Sequence, residues 1–255
     1  MTDYKPPLQD QIAWVTGAGS GIGRAIAIKL ARQGARIASI DIDATAAQIT
    51  CDGLASPSMA IACDVAHENS VNEACAKLEI DLGAADILVN AAGITYAQSI
   101  ADHDEHAWQK ILDVNLSGPF HMSRAVHATM IARQYGRIVN IASGSGVRVG
   151  AGVGAYGASK AGLIALTKAL ANEGAEAGVT ANAVAPGLVD TPMMREHMPE
   201  TETLEAAVRD SNIANPMGLL LQADDIAHAV AFLCHPDSRG ITGQVLHING
   251  GAIMP

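Results

Sequence analysis

Short runs of β-branched and apolar residues recur along the whole chain, and between them lie longer Ala-rich stretches with helical periodicity. The runs read "QIAWVTG", "RIASIDI", "SMAIACDV", "DILVNAAG", "GRIVNIAS", "VTANAVAPG" and "QVLHING". Helical spacing is strongest over residues 24–33, 70–82, 105–133 and 156–176. A strand, helix, strand succession packs back onto one sheet through a right-handed crossover, which makes the strands parallel. Such a sheet needs helices on both faces. A doubly wound α/β fold with about seven parallel strands is therefore expected. No linker or shift of composition divides the chain, so residues 1–255 are expected to form a single domain. The segment at about 190–217 breaks the pattern with Met, Pro and charges in weak helical order. A substrate loop and a plain surface excursion fit it equally well.

Bulk chemistry excludes several functions. A net charge of −10 and the absence of any Lys/Arg run argue against nucleic acid or an anionic membrane as partner. The N-terminus is polar, and no apolar run is long enough to span a bilayer. The four cysteines, Cys51, Cys63, Cys75 and Cys234, have no metal spacing. Buried free thiols in a reducing cytoplasm are the expected reading.

Two features point to a dinucleotide. "VTGAGSGIGRAIA" follows the first strand and enters a helix, with Gly17, Gly21 and Gly23 in a G-x-x-x-G-x-G frame. Glycines there let the backbone approach a pyrophosphate, whose charge meets free N–H groups at the helix start. Ser20 and Ile22 lie inside that turn. At the end of the second run stands Asp41, which can accept hydrogen bonds from the hydroxyls of an adenosine ribose and would repel a 2′-phosphate. Neither Ser20 nor Ile42 supplies a cation. NAD is expected over NADP.

These motifs, with "DV" at 64–65, "NAAG" at 90–93, "VNLSG" at 114–118, "IAS" at 141–143, "YGASK" at 156–160 and "PGLVDT" at 186–191, occur in one fixed order. In that order the chain resembles the short-chain dehydrogenase/reductase family over nearly its whole length. The resemblance implies a Rossmann-type NAD-binding and catalytic domain. It implies Tyr156 as acid/base, Lys160 as its activator, Ser143 as the carbonyl-binding hydroxyl and Asn115 as anchor of a proton-relay water. Asp64 and Val65 would bracket the adenine, and Asn90, Ala91 and Gly93 would line the cofactor. Pro186, Gly187, Val189 and Thr191 would hold the nicotinamide carboxamide. Thr180 departs from the family, which often carries Arg there. The family also implies a homotetramer.

The chemistry has its own logic. A phenol titrates near 10, too high for a base at neutral pH, and a cation one helical turn away stabilises the phenolate. Tyr156 and Lys160 stand four apart, on one helix face. The small residues around them are expected to leave room for a nicotinamide ring and a substrate. Ser143, Ser145, Tyr156, Met193 and Met194 are the expected substrate contacts, and Met198 and Met217 are further apolar candidates. The acids and histidines of "DHDEH" at 102–106 read as a helix cap rather than a metal site, so no metal is expected. The leading expectation is an NAD(H)-dependent enzyme interconverting a secondary alcohol and a ketone. The second is a 3-oxoacyl-thioester reductase, acting on an acyl carrier protein or CoA ester. The third is a dinucleotide-binding sensor or scaffold without catalysis.

Overall fold

A computed structural model describes residues 6–197, 203–210 and 214–254. All seven sequence runs become strands: β1 Ile12–Thr16, β2 Arg36–Asp41, β3 Ser58–Ala62, β4 Ile87–Asn90, β5 Gly136–Ile141, β6 Val179–Pro186 and, last in the chain, β9 Val245–Ile248. They form one parallel sheet in the order β3-β2-β1-β4-β5-β6-β9. Every residue of β5 and β6 is buried, as strands covered on both faces require.

Helices cover both faces. α1 Gly21–Arg32 and α9 Ala223–Cys234 pack on one through Ile26, Ala27 and Leu30 against Ile226, Ala227 and Val230. α3 Glu68–Asp81, α5 Gly118–Ala132 and α6 Gly154–Gly174 cover the other, enclosing Trp14 with Val71, Leu78, Met122, Val126 and Leu170. The strand order reverses between β1 and β4, and in such sheets ligands bind beyond the carboxyl ends of the strands at that point. The architecture is the expected doubly wound α/β fold.

Three expectations are corrected. The stretch 105–133 is not one helix: α4 Glu105–Leu112 passes through a π-turn at Asp113–Ser117 before α5. The stretch 156–176 ends earlier, because α6 gives way to a 3-10 turn at Ala175–Ala177 and Gly178 turns into β6 with φ +70°. The segment after β6 has more order than its composition suggests. A two-stranded ribbon of β7 Val189–Asp190 and β8 Leu221–Gln222 flanks α7 Pro192–His197 and α8 Leu204–Asp210. Leu204, Ala207 and Val208 bury against Leu188, with Met194 and Leu220 packed around them. Met198 lies outside the described residues, and Met217 is exposed.

α2 Ala44–Asp52 lies between β2 and β3. No helix among the described residues is long and apolar enough to cross a membrane. All four cysteines are buried and free.

Candidate active site

The glycine turn between β1 and α1 is shaped for close approach. A Cβ on Gly23 would lie 2.1 Å from the Gly17 carbonyl oxygen, and one on Gly17 would lie 2.8 Å from the Ala92 backbone. Gly17 and Gly21 hold φ of +64° and +48°, values that L side chains rarely adopt. Ser20 precedes α1 without capping it by its side chain, so the first N–H groups of the helix stay open. Thr50 Oγ1 donates to the Ala18 carbonyl at 2.8 Å, and the Arg24 guanidinium bonds both Thr50 and the Gly19 carbonyl. Thr16 Oγ1 accepts from the Ala91 and Ala92 N–H groups at 3.1 and 3.2 Å, tying β1 to the "NAAG" turn.

A cleft of about 650 Å³ opens beyond these strand ends. Gly17, Ser20, Gly21, Ile22, Gly23, Asp41, Ile42, Asp64, Val65, Ala91, Gly93, Thr191 and Met193 line it. Asp41 ends β2 with its carboxylate at the wall: Oδ2 accepts from Gly19 N–H at 2.8 Å and Oδ1 from Asp43 N–H at 3.0 Å. Asp64 Oδ1 accepts from Ala66 N–H at 3.0 Å. A Cβ on Gly21 would lie 3.6 Å from Thr191, so the loop entering α7 faces the glycine turn. Glycines packed too tightly for a Cβ, open helix N–H groups and an acid at the ribose end fit a nicotinamide dinucleotide.

Other expected contacts stand elsewhere. Asn90 is buried and donates to Asn140 Oδ1 at 2.8 Å and Ser123 Oγ at 3.3 Å, while Asn140 donates to Thr167 at 2.9 Å. That chain clamps β4, β5, α5 and α6 together behind the cleft. Pro186 closes β6, and Gly187 N–H donates to the Ile248 carbonyl at 2.9 Å. Val189 packs into the main core and Met194 onto the small α8 cluster, so neither lines the cleft. Among the cleft residues that escaped the sequence reading, His106, Gln109, Lys110 and Asp113 form one group. Their spacing of three, one and three is one helix face, a signal present in the sequence.

The residues singled out for chemistry converge at the start of α6. Asn115, fully buried in the π-turn, accepts from Ile94 N–H at 2.8 Å and donates to the Ile94 carbonyl at 2.9 Å and Ser159 Oγ at 3.1 Å. Such turns recur at functional sites because the extra residue re-aims one side chain. Ser159 Oγ in turn donates to the Tyr156 carbonyl at 2.7 Å. Ser143 bonds the Tyr156 hydroxyl, and its Oγ also accepts from Ser145 N–H at 3.1 Å. Lys160 Nζ donates to the Ile141 carbonyl at 2.8 Å and sits 5.6 Å from the Tyr156 ring centroid. A Cβ on Gly93 would lie 3.5 Å from Lys160 Nζ and 3.3 Å from Asn115 Oδ1, which joins this cluster to the cleft.

Two expectations need correction here. Burial pushes the Tyr156 phenol above its ordinary value, although its Ser143 hydrogen bond pulls the other way. In the protein alone, burial therefore outweighs the influences that would lower this phenol. The small residues beside Tyr156 also serve packing more than open space. A Cβ on Gly157 would lie 2.7 Å from Val149, one on Gly146 2.9 Å from the Lys160 backbone, and one on Gly154 2.5 Å from Ile100.

Burial also lowers Lys160 from 10.5 to about 8. Holding this ammonium charged in the interior costs on the order of 3 kcal/mol at neutral pH. Because the folded value is the lower one, that cost is present below pH 8 and is relieved as pH rises towards the unfolded value near 10.5. Stability should consequently shift in favour of the wild type, relative to Lys160→Met, as pH climbs through that window. Denaturant titrations of both proteins at pH 7, 8.5 and 10 check this, and a constant difference contradicts it.

At "DHDEH", Asp104 Oδ1 accepts from His106 N–H and caps α4, while His103 meets Trp108 edge-on. Among the described residues no group of three His, Cys, Asp or Glu could hold a metal ion.

Comparison with known proteins agrees with this geometry. A family model described as enoyl-(acyl carrier protein) reductase matches residues 17–252. The 3-oxoacyl-(acyl-carrier-protein) reductase of Vibrio cholerae is 39% identical over 248 residues, 97% of this chain and 99% of that protein. Subunit BbsD of a hydroxy(phenyl)methylsuccinyl-CoA dehydrogenase from Thauera aromatica is 39% identical over 248 residues, 96% of this chain and 97% of its own. A solved structure from Agrobacterium tumefaciens, named as a candidate gluconate dehydrogenase, superposes with a TM-score of 0.91 at 32% identity, covering 98% of each chain. With near-complete coverage by relatives and an ordered motif set folded around one cleft, the chain belongs to the short-chain dehydrogenase/reductase family of oxidoreductases.

Proposed function

We propose that this protein is an NAD(H)-dependent oxidoreductase of 3-oxoacyl and 3-hydroxyacyl thioesters. The observation that carries the reading is the Ser143, Tyr156, Lys160 and Asn115 cluster beside a dinucleotide-shaped cleft, in a chain 39% identical to relatives named for thioester substrates. Those names reverse the order of preference drawn from sequence, where simple alcohols came first. The intact cluster speaks against a sensor without catalysis.

In the reducing direction, Ser143 Oγ and the Tyr156 hydroxyl donate to the C3 carbonyl oxygen and fix it. Tyr156 gives its proton to that oxygen as negative charge develops. Lys160, held by the Ile141 carbonyl, keeps a cation beside the phenolate that remains. Bound nicotinamide would supply the hydride and, when oxidised, a positive charge. Asn115 and Ser159 hold the Ile94 and Tyr156 backbones in register.

Asp41 supports NAD over NADP, since its carboxylate stands at the cleft wall and neither Ser20 nor Ile42 offers a cation. Exposed Phe120 on α5 and Phe232 on α9 support assembly, for which a homotetramer is proposed. The buried thiols fit a cytoplasmic setting.

The test is a panel read by nicotinamide absorbance with each cofactor. Acetoacetyl-CoA is expected to exceed simple aliphatic and cyclic ketones by at least about tenfold in kcat/KM, roughly 1.4 kcal/mol of transition-state binding. Equal or better turnover of the simple ketones returns the assignment to a general secondary-alcohol dehydrogenase.

A further inference from the structure

The turn that carries Ser143 is pinned on two sides, each time where a glycine lacks a side chain. Gly146 lies against α6, where a Cβ would come within 2.9 Å of the Lys160 backbone. Gly144 is buried and meets the segment that follows β9. A Cβ there would stand 2.9 Å from Ile253 Cδ1 and 3.5 Å from the Pro186 carbonyl oxygen. Gly144 is not among the glycines with positive φ, so the missing side chain is a matter of space and not of backbone conformation.

Ile253 is itself held in place. Asn249, buried just after β9, donates from Nδ2 to the Ile253 carbonyl at 3.0 Å. Its Oδ1 accepts from Gly251 N–H at 2.9 Å and its carbonyl from Ala252 N–H at 3.1 Å, which closes the segment into a hook. A Cβ on Gly187 would lie 2.9 Å from Asn249 Cα, so the hook seats against the chain leaving β6. Farther out, Met217 N–H donates to the Gly250 carbonyl at 3.2 Å, and buried Asn215 leaves no room for a Cβ on Gly250. One hook thus ties the far end of the segment at 190–217 to the turn of Ser143. The Ser143 hydroxyl is bonded to Ser145 N–H inside that turn, so its aim follows the turn.

We infer that Ile253 is a positioning residue: its side chain fills the space that Gly144 leaves and braces the turn, so that the Ser143 hydroxyl meets the substrate carbonyl. The inference rests on the carbonyl-binding role proposed for Ser143 and not on which ketone or thioester is reduced. A displacement of about 1 Å in such a group can cost roughly 10²-fold in rate.

On the best substrate of the panel above, Ile253→Ala should lower kcat by about tenfold, with NADH affinity within about twofold of the wild type. In a Ser143→Ala background no hydroxyl remains to be aimed, and Ile253→Ala should cost less than about twofold more. A residue that only supported the fold would cost the same in both backgrounds. Gly144→Ala presses on the brace from the other side and should lower kcat by a similar factor. Adding Ile253→Val, which removes Cδ1, should bring that variant back to within about twofold of the wild type. This second pair carries the test if Ile253→Ala does not fold. Full activity of Ile253→Ala, an equal loss in both backgrounds, or no rescue by Ile253→Val overturns the brace while leaving the proposed reaction intact. Full activity of Ser143→Ala overturns the role of Ser143 and the brace with it.

Discussion

Tyr156→Phe is expected to lower kcat for acetoacetyl-CoA reduction by roughly 10²- to 10⁴-fold, the usual loss when a positioned acid/base is removed. The substitution deletes one oxygen and keeps the ring, so the ring's place beside Lys160 survives. The Ser143 hydroxyl loses its partner but keeps the Ser145 N–H bond that shapes its turn. Folding and NADH affinity should therefore match the wild type. Steady-state kinetics together with NADH fluorescence titration check both halves. Retention of most of the kcat would remove Tyr156 from the chemistry.

Cofactor choice carries the second large effect. Each charge-assisted hydrogen bond from a ribose hydroxyl to Asp41 is worth roughly 1.5 to 3 kcal/mol, and a 2′-phosphate would face the same carboxylate. NAD(H) should be preferred by at least roughly a hundredfold in kcat/KM. Asp41 also receives the Gly19 N–H at 2.8 Å, so replacing it with Ala would loosen the glycine turn for either cofactor. Asp41→Asn with Ile42→Arg keeps an acceptor for Gly19, removes the repulsion and adds a bidentate phosphate partner. Ile42 is 70% exposed at the cleft wall, so the arginine has room. The double variant should lose NADH efficiency and gain NADPH efficiency. Equal use of both cofactors by the wild type would mean that Asp41 does not read the ribose.

Much of this was legible because parallel strands buried on both faces write themselves as apolar runs. β5 and β6 are the extreme case, buried at every position. Helices that escaped did so for local reasons. α2 has nine residues, two of them threonine, and announces itself only by Asp43, which caps Thr45 and Ala46. α9 opens on a capping box built from Gln222 and Asp225, without the usual Ser or Thr. The π-turn at Asn115 was invisible because one inserted residue barely disturbs helical periodicity. The phenol's raised value was missed because sequence shows the nearby lysine but not the burial that opposes it.

In the proposed reaction hydride passes between nicotinamide and C3 of an acyl thioester at the Tyr156 cluster. Reduction of acetoacetyl-CoA with NADH dideuterated at C4, followed by mass spectrometry and NMR of the product, tests it most directly. One deuterium at C3 of the 3-hydroxybutyryl-CoA formed, and none when Tyr156→Phe replaces the wild type over the same interval, is the predicted result. No thioester product, or a hydroxyacyl product without deuterium at C3, would contradict it.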